Sequence, residues 1–133
     1  MEYAGGGTLE DLIKEYQKDK QQGLPEKVAF DFFKQMLDGI FTLHKNDIIH
    51  RDIKPQNILL DSTKKIIKIA DFGQAVFASV MKTLRQGTPL YMAPEQLNPR
   101  GPYPIRDIRS DVWSFGLVLY EMLVGTHLFE KYL

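Results

Sequence analysis

The period of the hydrophobic positions changes along the chain and divides it into regions of different structure. Leu9, Leu12, Ile13 and Tyr16 fall at i, i+3, i+4 and i+7, the spacing of one helix face. Thr8 followed three residues later by Asp11 predicts a capping box at the start of that helix, and Gln21-Gln22-Gly23 predicts its end. Pro25 fits the first turn of a second helix, where a missing N–H costs nothing. The apolar stripe of that helix is Val28, Phe32, Phe33, Met36, Leu37, Ile40 and Leu43, long enough for about five turns. After Asn46-Asp47 the pattern shortens. Ile48-Ile49, Ile58-Leu59-Leu60 and Ile66-Ile67-Lys68-Ile69 are β-branched runs bounded by turn residues and predict short strands. Residues 74–110 keep no period and hold scattered Gly and Pro, which predicts a long loop region of the kind that carries function. Asp111 to Val124 is apolar nearly all round, the mark of a buried central helix, and Gly125 closes it. No internal repeat, low-complexity tract or linker interrupts the series.

Composition narrows the class. The chain has 133 residues, enough for one domain with its own core. Its 44% hydrophobic and 26% charged content is that of a soluble globular chain and not a disordered one. Lys+Arg and Asp+Glu are both 17, so charge gives no reason to expect nucleic acid or an anionic membrane as partner. There is no cysteine, which excludes disulfides and thiolate metal sites. The start, Met1 to Gly7, has neither the basic run nor the apolar core of a signal peptide, and no apolar run is long enough to span a bilayer. The expectation is a cytoplasmic protein.

Candidate chemistry lies in three islands. His50-Arg51-Asp52-Ile53-Lys54-Pro55-Gln56-Asn57 is followed, 14 residues after Asn57, by Asp71-Phe72-Gly73, and then by Ala93-Pro94-Glu95. Taken singly, each polar residue here reads as a surface group in a turn. Three islands in this order and at this spacing do not. They resemble the catalytic loop, the metal loop and the end of the activation segment of a protein kinase. The resemblance spans essentially the whole chain and is to the C-terminal lobe of a eukaryotic Ser/Thr protein kinase, from the hinge to just past the central helix. The implied fold is mainly α with a few short β-strands, a protein-kinase-like large lobe whose small lobe is absent. The whole of 1–133 then forms a partial kinase domain: hinge 1–7, helices and catalytic loop 8–70, activation segment 71–95, and central helix region 96–133.

The resemblance implies a role for each matching residue. Asp52 would hold the substrate hydroxyl in line and accept its proton, since phosphoryl transfer needs positioning more than covalent help. Lys54 would offset charge at the γ-phosphate of ATP, and a lysine there goes with Ser/Thr kinases. Asn57 and Asp71 would be Mg²⁺ ligands, hard oxygens suited to that ion. Gly73 would allow the turn after Asp71, and Phe72 would stack on His50, a structural histidine bonding backbone. Thr88, in Gly87-Thr88-Pro89, would face Asp52 and Lys54 and shape the substrate site. In the hinge, Met1 would be the gatekeeper, the Glu2 carbonyl and the Ala4 N–H would bond adenine, and Leu59 would form the floor beneath it, with Leu9 packed below. Arg51 would bind a phosphate in the activation segment, with Ser79 and Thr83 as acceptors; the family's usual acceptor position holds Leu84, one residue from Thr83. Asp111 would accept backbone N–H bonds from the catalytic loop. His44 and His127 read as ordinary helix-face or loop residues. The link from Glu95 to Asp111, with Pro99, Gly101, Pro102 and Pro104, reads as a surface insertion.

The resemblance also marks what these residues lack. A complete kinase needs a Gly-rich loop, a strand lysine and a helix glutamate. Gly5-Gly6-Gly7 lacks the spacing for the first, and the small lobe would have to lie on upstream sequence. Glu95 would lack the arginine that usually pairs with it, and the central helix would expose an apolar face. Two functions stay open. One is a Ser/Thr protein kinase fragment, a transferase passing the γ-phosphoryl of ATP, with Mg²⁺, to the Ser/Thr hydroxyl of a protein substrate. The other is an inert truncated lobe acting through protein contacts. A nucleotide-binding protein of another fold is disfavoured by the absence of a Gly-x-x-x-x-Gly-Lys-Ser/Thr loop.

Overall fold

The computed structural model describes residues 4–46, 48–70, 89–97 and 109–132. Helix α1 spans Leu9–Lys20 and starts as the capping box predicts. Thr8 Oγ1 accepts from the Asp11 N–H at 3.2 Å, and Asp11 Oδ2 accepts from the Thr8 N–H at 3.1 Å. The helix stops because Gln21 turns into the left-handed region at φ 52°. Helix α2 spans Glu26–Lys45. Pro25 sits one position earlier than the sequence pattern places it, as the N-cap; its carbonyl accepts the first helical bond, from Ala29 N at 3.0 Å.

The buried row of α2 is Ala29, Phe32, Met36 and Ile40, all at or below 5% exposure. Leu37, placed in the stripe by the sequence, is 45% exposed, because it lies about 100° round the helix from Met36. Strands β1 (Ile58–Leu60) and β2 (Ile67–Ile69) pair antiparallel, with Ile58 opposite Ile69 and Leu60 opposite Ile67. Asp61 organises the turn between them: its carboxylate accepts from the Lys65 and Ile66 N–H groups, both at 3.1 Å, and from the Thr63 hydroxyl. These donors hold the Asp61 carboxyl below its ordinary pKa, the Thr63 hydroxyl contributing most. Gln35 of α2 clips the hairpin to the helix, donating to the Lys65 carbonyl at 2.9 Å and accepting from the Ile67 N–H at 2.9 Å.

Ile48-Ile49 forms no strand. The Ile48 N–H closes the end of α2 on the Leu43 carbonyl at 2.9 Å. The next donors, on His50 and Arg51, go to a side-chain carboxylate instead of a sheet. A short helix α3 (Pro94–Leu97) precedes the central helix α4 (Arg109–Val124). One face of α4, with Phe115, Val118 and Met122, is buried against α2; Phe33 meets Phe115 edge-on at 6.4 Å. The opposite side leaves Val112, Trp113, Leu123 and Val124 at least one-third exposed among the described residues, the apolar face the sequence foresees. No described helix is long and apolar enough to cross a membrane.

Gly23, between α1 and α2, is the tightest backbone approach to α4. Leu24 N donates to the Met122 carbonyl at 2.7 Å, and a Cβ at Gly23 would collide with the main chain of Met122 and Leu123. Backbone cannot yield as a flexible side chain can. Gly23→Ala is expected to cost about 1–3 kcal/mol, read as a lowered urea midpoint at unchanged slope.

Candidate active site

Asp111, in the first turn of α4, is fully buried. Its Oδ1 accepts from the Arg51 N–H at 2.8 Å, and its Oδ2 from the His50 N–H at 2.9 Å and from His44 Nε2 at 2.9 Å. An ionised carboxylate only accepts, so Nε2 is the protonated nitrogen of His44. Three donors and the nearby helix N-terminus make the buried charge tolerable. The grip fixes the loop in an unusual shape: Arg51 has φ 72°, a left-handed conformation that costs a non-glycine residue about 1–3 kcal/mol.

His50 continues the network. It is buried, and its Nδ1 accepts from the Asp52 N–H at 3.1 Å. Nε2 therefore carries the proton and donates to the Ala70 carbonyl at 2.7 Å. Ala70 N in turn donates to the Asn57 carbonyl at 2.7 Å. The imidazole thus ties the loop bearing Asp52 to the residue immediately before Asp71.

Asp52, Lys54 and Asn57 converge. Asn57 Nδ2 donates to the Asp52 carbonyl at 2.8 Å and to its Oδ2 at 3.0 Å, and Lys54 Nζ lies 3.6 Å from Asp52 Oδ1. Two acceptors face one end of the Asn57 amide, so that end must be the NH₂, which turns Oδ1 away as a neutral oxygen ligand. Asn57 is buried, whereas the Asp52 side chain is 44% exposed. The cluster is anchored below and open above. Leu59, half-buried on β1, bridges to Thr8 at the start of α1, and Leu9 beside it is fully buried. Ala4 opens a 3-10 turn, Ala4–Gly6.

Glu95, expected to lack its usual arginine partner, accepts from the Ser110 hydroxyl at 3.1 Å and is only half-buried. Met1, Glu2, Asp71, Phe72, Gly73, Ser79, Thr83, Leu84 and Thr88, and the link through Pro99 to Pro104, lie outside the described residues. Among the described residues no group of three or more His, Cys, Asp or Glu could hold a metal ion.

Several residues escaped the sequence reading. His44 is not an ordinary helix-face residue: it extends the row Phe32, Met36, Ile40 by one more step of four, so a polar group there had to find a buried partner. His127 is buried against Tyr91, ring centroids 4.7 Å apart. Its Nδ1 accepts from the Phe129 N–H at 3.0 Å. Burial pushes its pKa down, opposed by the Leu90 backbone. Tyr91 donates to Glu121 Oε2 at 2.5 Å beside a cavity of about 430 Å³. Burial pushes both the Tyr91 phenol and the Glu121 carboxyl above their ordinary values; in Glu121 the hydrogen bond from Tyr91 works against the shift.

A two-stranded hairpin packed on α1 and α2, with an Asp–Lys–Asn cluster on a loop held by the buried aspartate of α4, is the large-lobe arrangement the motifs anticipate. The protein kinase domain model matches residues 1–132, and the chain belongs to the protein kinase family. Its relatives are serine/threonine kinases. It is 42% identical to the serine/threonine-protein kinase nekl-2 of Caenorhabditis elegans, over 92% of this chain and 35% of that protein. It is 44% identical to the human serine/threonine-protein kinase ULK3 over 94% of this chain and 25% of that protein. It is 42% identical to the probable serine/threonine-protein kinase HSL1 of Saccharomyces cerevisiae over 94% of this chain and 8% of that protein. The chain therefore spans about a third or less of the length of these relatives.

Two measurements test the site's energetics. Asp111→Ala strands three donors, each costing about 1–3 kcal/mol when buried and unpaired, so chemical denaturation should show a loss above about 3 kcal/mol. Glu121 has the opposite sign to a salt-bridged acid. Its folded pKa is raised above 4.5, so the fold binds more protons than the unfolded chain, and stability falls as pH rises from 4.5 through the raised value. Glu121→Gln keeps an acceptor for Tyr91, and melting curves from pH 4.5 to neutrality should lose that decline.

Proposed function

We propose that this sequence encodes the phosphoryl-transfer half of a Ser/Thr protein kinase, using ATP and Mg²⁺ on a protein substrate. The observation that carries the reading is the convergence of Lys54 and Asn57 on the exposed carboxylate of Asp52. Asp52 orients a substrate hydroxyl and takes its proton as the hydroxyl oxygen bonds to the γ-phosphorus; the bond to the β-phosphate oxygen breaks and ADP leaves. Lys54 steadies the charge on the group in transit. Asn57 Oδ1, with Asp71, would hold Mg²⁺; the Asn57 part of the donor set fits, since its amide presents a hard oxygen and its NH₂ is already engaged. The ion would supply charge neutralisation along the phosphates. Leu59 and the backbone of Glu2 and Ala4 seat the adenine, and Gly73, Phe72 and His50 hold Asp71 in place. Thr88 selects the Ser/Thr substrate. Arg51 receives a phosphate from the activation segment, at Thr83 or Ser79.

The second reading applies to the 133 residues by themselves, in which no Gly-rich loop and no strand lysine precede the catalytic motifs. On that reading the chain alone is an inert lobe acting, if at all, through protein contacts. The test is radiolabel transfer to a Ser-containing protein substrate. The chain alone is expected to match its Asp52→Asn control. Joined to a kinase small lobe it should transfer phosphate, with Asp52→Asn lowering the rate at least about a hundredfold and Asn57→Ala raising the Mg²⁺ needed. Transfer that survives Asp52→Asn in the joined protein would falsify the catalytic assignment.

A further inference from the structure

We infer that the start of α2 and the β1–β2 turn form a docking site for an acidic peptide segment carrying one bulky apolar anchor. The two elements enclose a cavity of about 430 Å³ floored by Val28, Phe30 and Phe32. Phe30 is 48% exposed, so a large ring is presented to the outside where a lone helix would place a polar group. Lysines ring the floor from both sides: Lys27 and Lys34 from α2, Lys64 and Lys65 from the turn. Among the described residues, no carboxylate comes within 4.0 Å of Lys27, Lys34 or Lys65. Lys64 meets Glu15 at 3.6 Å, but both side chains are about half exposed, and such a pair yields easily to a competing acid. The one carboxylate in the cavity, Asp31, accepts from the Gln35 amide at 3.2 Å.

The backbone that carries the lysines of the turn is held in place. The Asp61 bonds shape the turn, Lys64 adopts φ 57°, and the two Gln35 bonds fasten it to α2. A binding face whose backbone is already ordered spends less entropy on its ligand. The chemistry commits the occupant: an apolar side chain on the phenylalanine floor, flanked by Asp, Glu or phosphorylated residues reaching the lysines. The site shares no residue with the Asp52 cluster, and its test reads binding alone, so it stands or falls separately from the phosphoryl-transfer reading.

The experiment is a charge-balanced array of short peptides probed with the full chain and with two variants, Phe30→Asp and the double Lys34→Glu/Lys65→Glu. These side chains are on the surface, so the variants keep the fold, which circular dichroism checks. Retained peptides are expected to be acidic with a Leu, Ile or Phe anchor, to bind either variant about tenfold more weakly, and to weaken as salt is raised. An array with no binder, binders without an excess of acid, or equal binding to wild type and both variants would overturn the inference. So would binding to mixed phosphatidylserine and phosphatidylcholine vesicles that the variants lose and acidic peptides fail to displace.

Discussion

The buried carboxylate of Asp111 is the point on which the rest of this lobe is hung. A charge with no solvent contact is tolerated only when hydrogen-bond donors replace the lost water, and here both oxygens are engaged by three groups distant in sequence: the end of α2 through His44, and two consecutive backbone donors of the loop before Asp52. One side chain thereby fixes the relation of α4, α2 and the loop. The interaction is short-ranged and directional, so it sets geometry in a way that the apolar contacts of Phe115, Val118 and Met122 cannot.

From that anchor, order passes outward by hydrogen bonds. His50 relays the loop's position to Ala70, Ala70 returns to Asn57, and Asn57 closes on Asp52. The links run through backbone groups and short side chains of few rotamers, so little freedom accumulates between the buried anchor and the exposed carboxylate. The hairpin contributes by carrying Asn57 and Ala70 on its two ends at a separation set by strand pairing. The helices contribute mass and burial. Together they form a firm floor under a surface that is polar and open.

Much of this was legible in the sequence, for identifiable reasons. Capping at Thr8, the end of the central helix at Gly125 and the hairpin strands depend on neighbours a few residues apart, and local patterns report such neighbours directly. Asp111 and the Asp52, Lys54 and Asn57 set were found through the family's motifs. What the sequence concealed was long-range polar bonding. His44 looked ordinary because its partner is 67 residues away, and Ile48-Ile49 looked like a strand because nothing local says that the following donors are claimed by a carboxylate. The bond from Ser110 to Glu95 could not be read either, because an unremarkable serine is brought to it only by folding. Leu37 shows a different limit: a heptad-like stripe does not tell which of its edges the neighbouring helix covers.

The backbone of Arg51 carries an evolutionary implication. Its left-handed φ of 72° is a conformation in which glycine would sit without penalty and most other side chains would not. A chain selected for stability alone would drift toward glycine at this position, and a library screened only for folding would enrich it. A long cationic side chain at a site whose backbone favours none sets the side chain against the thermodynamic preference of its own backbone. In a folding screen run without regard to activity, such a position is where glycine should be gained first.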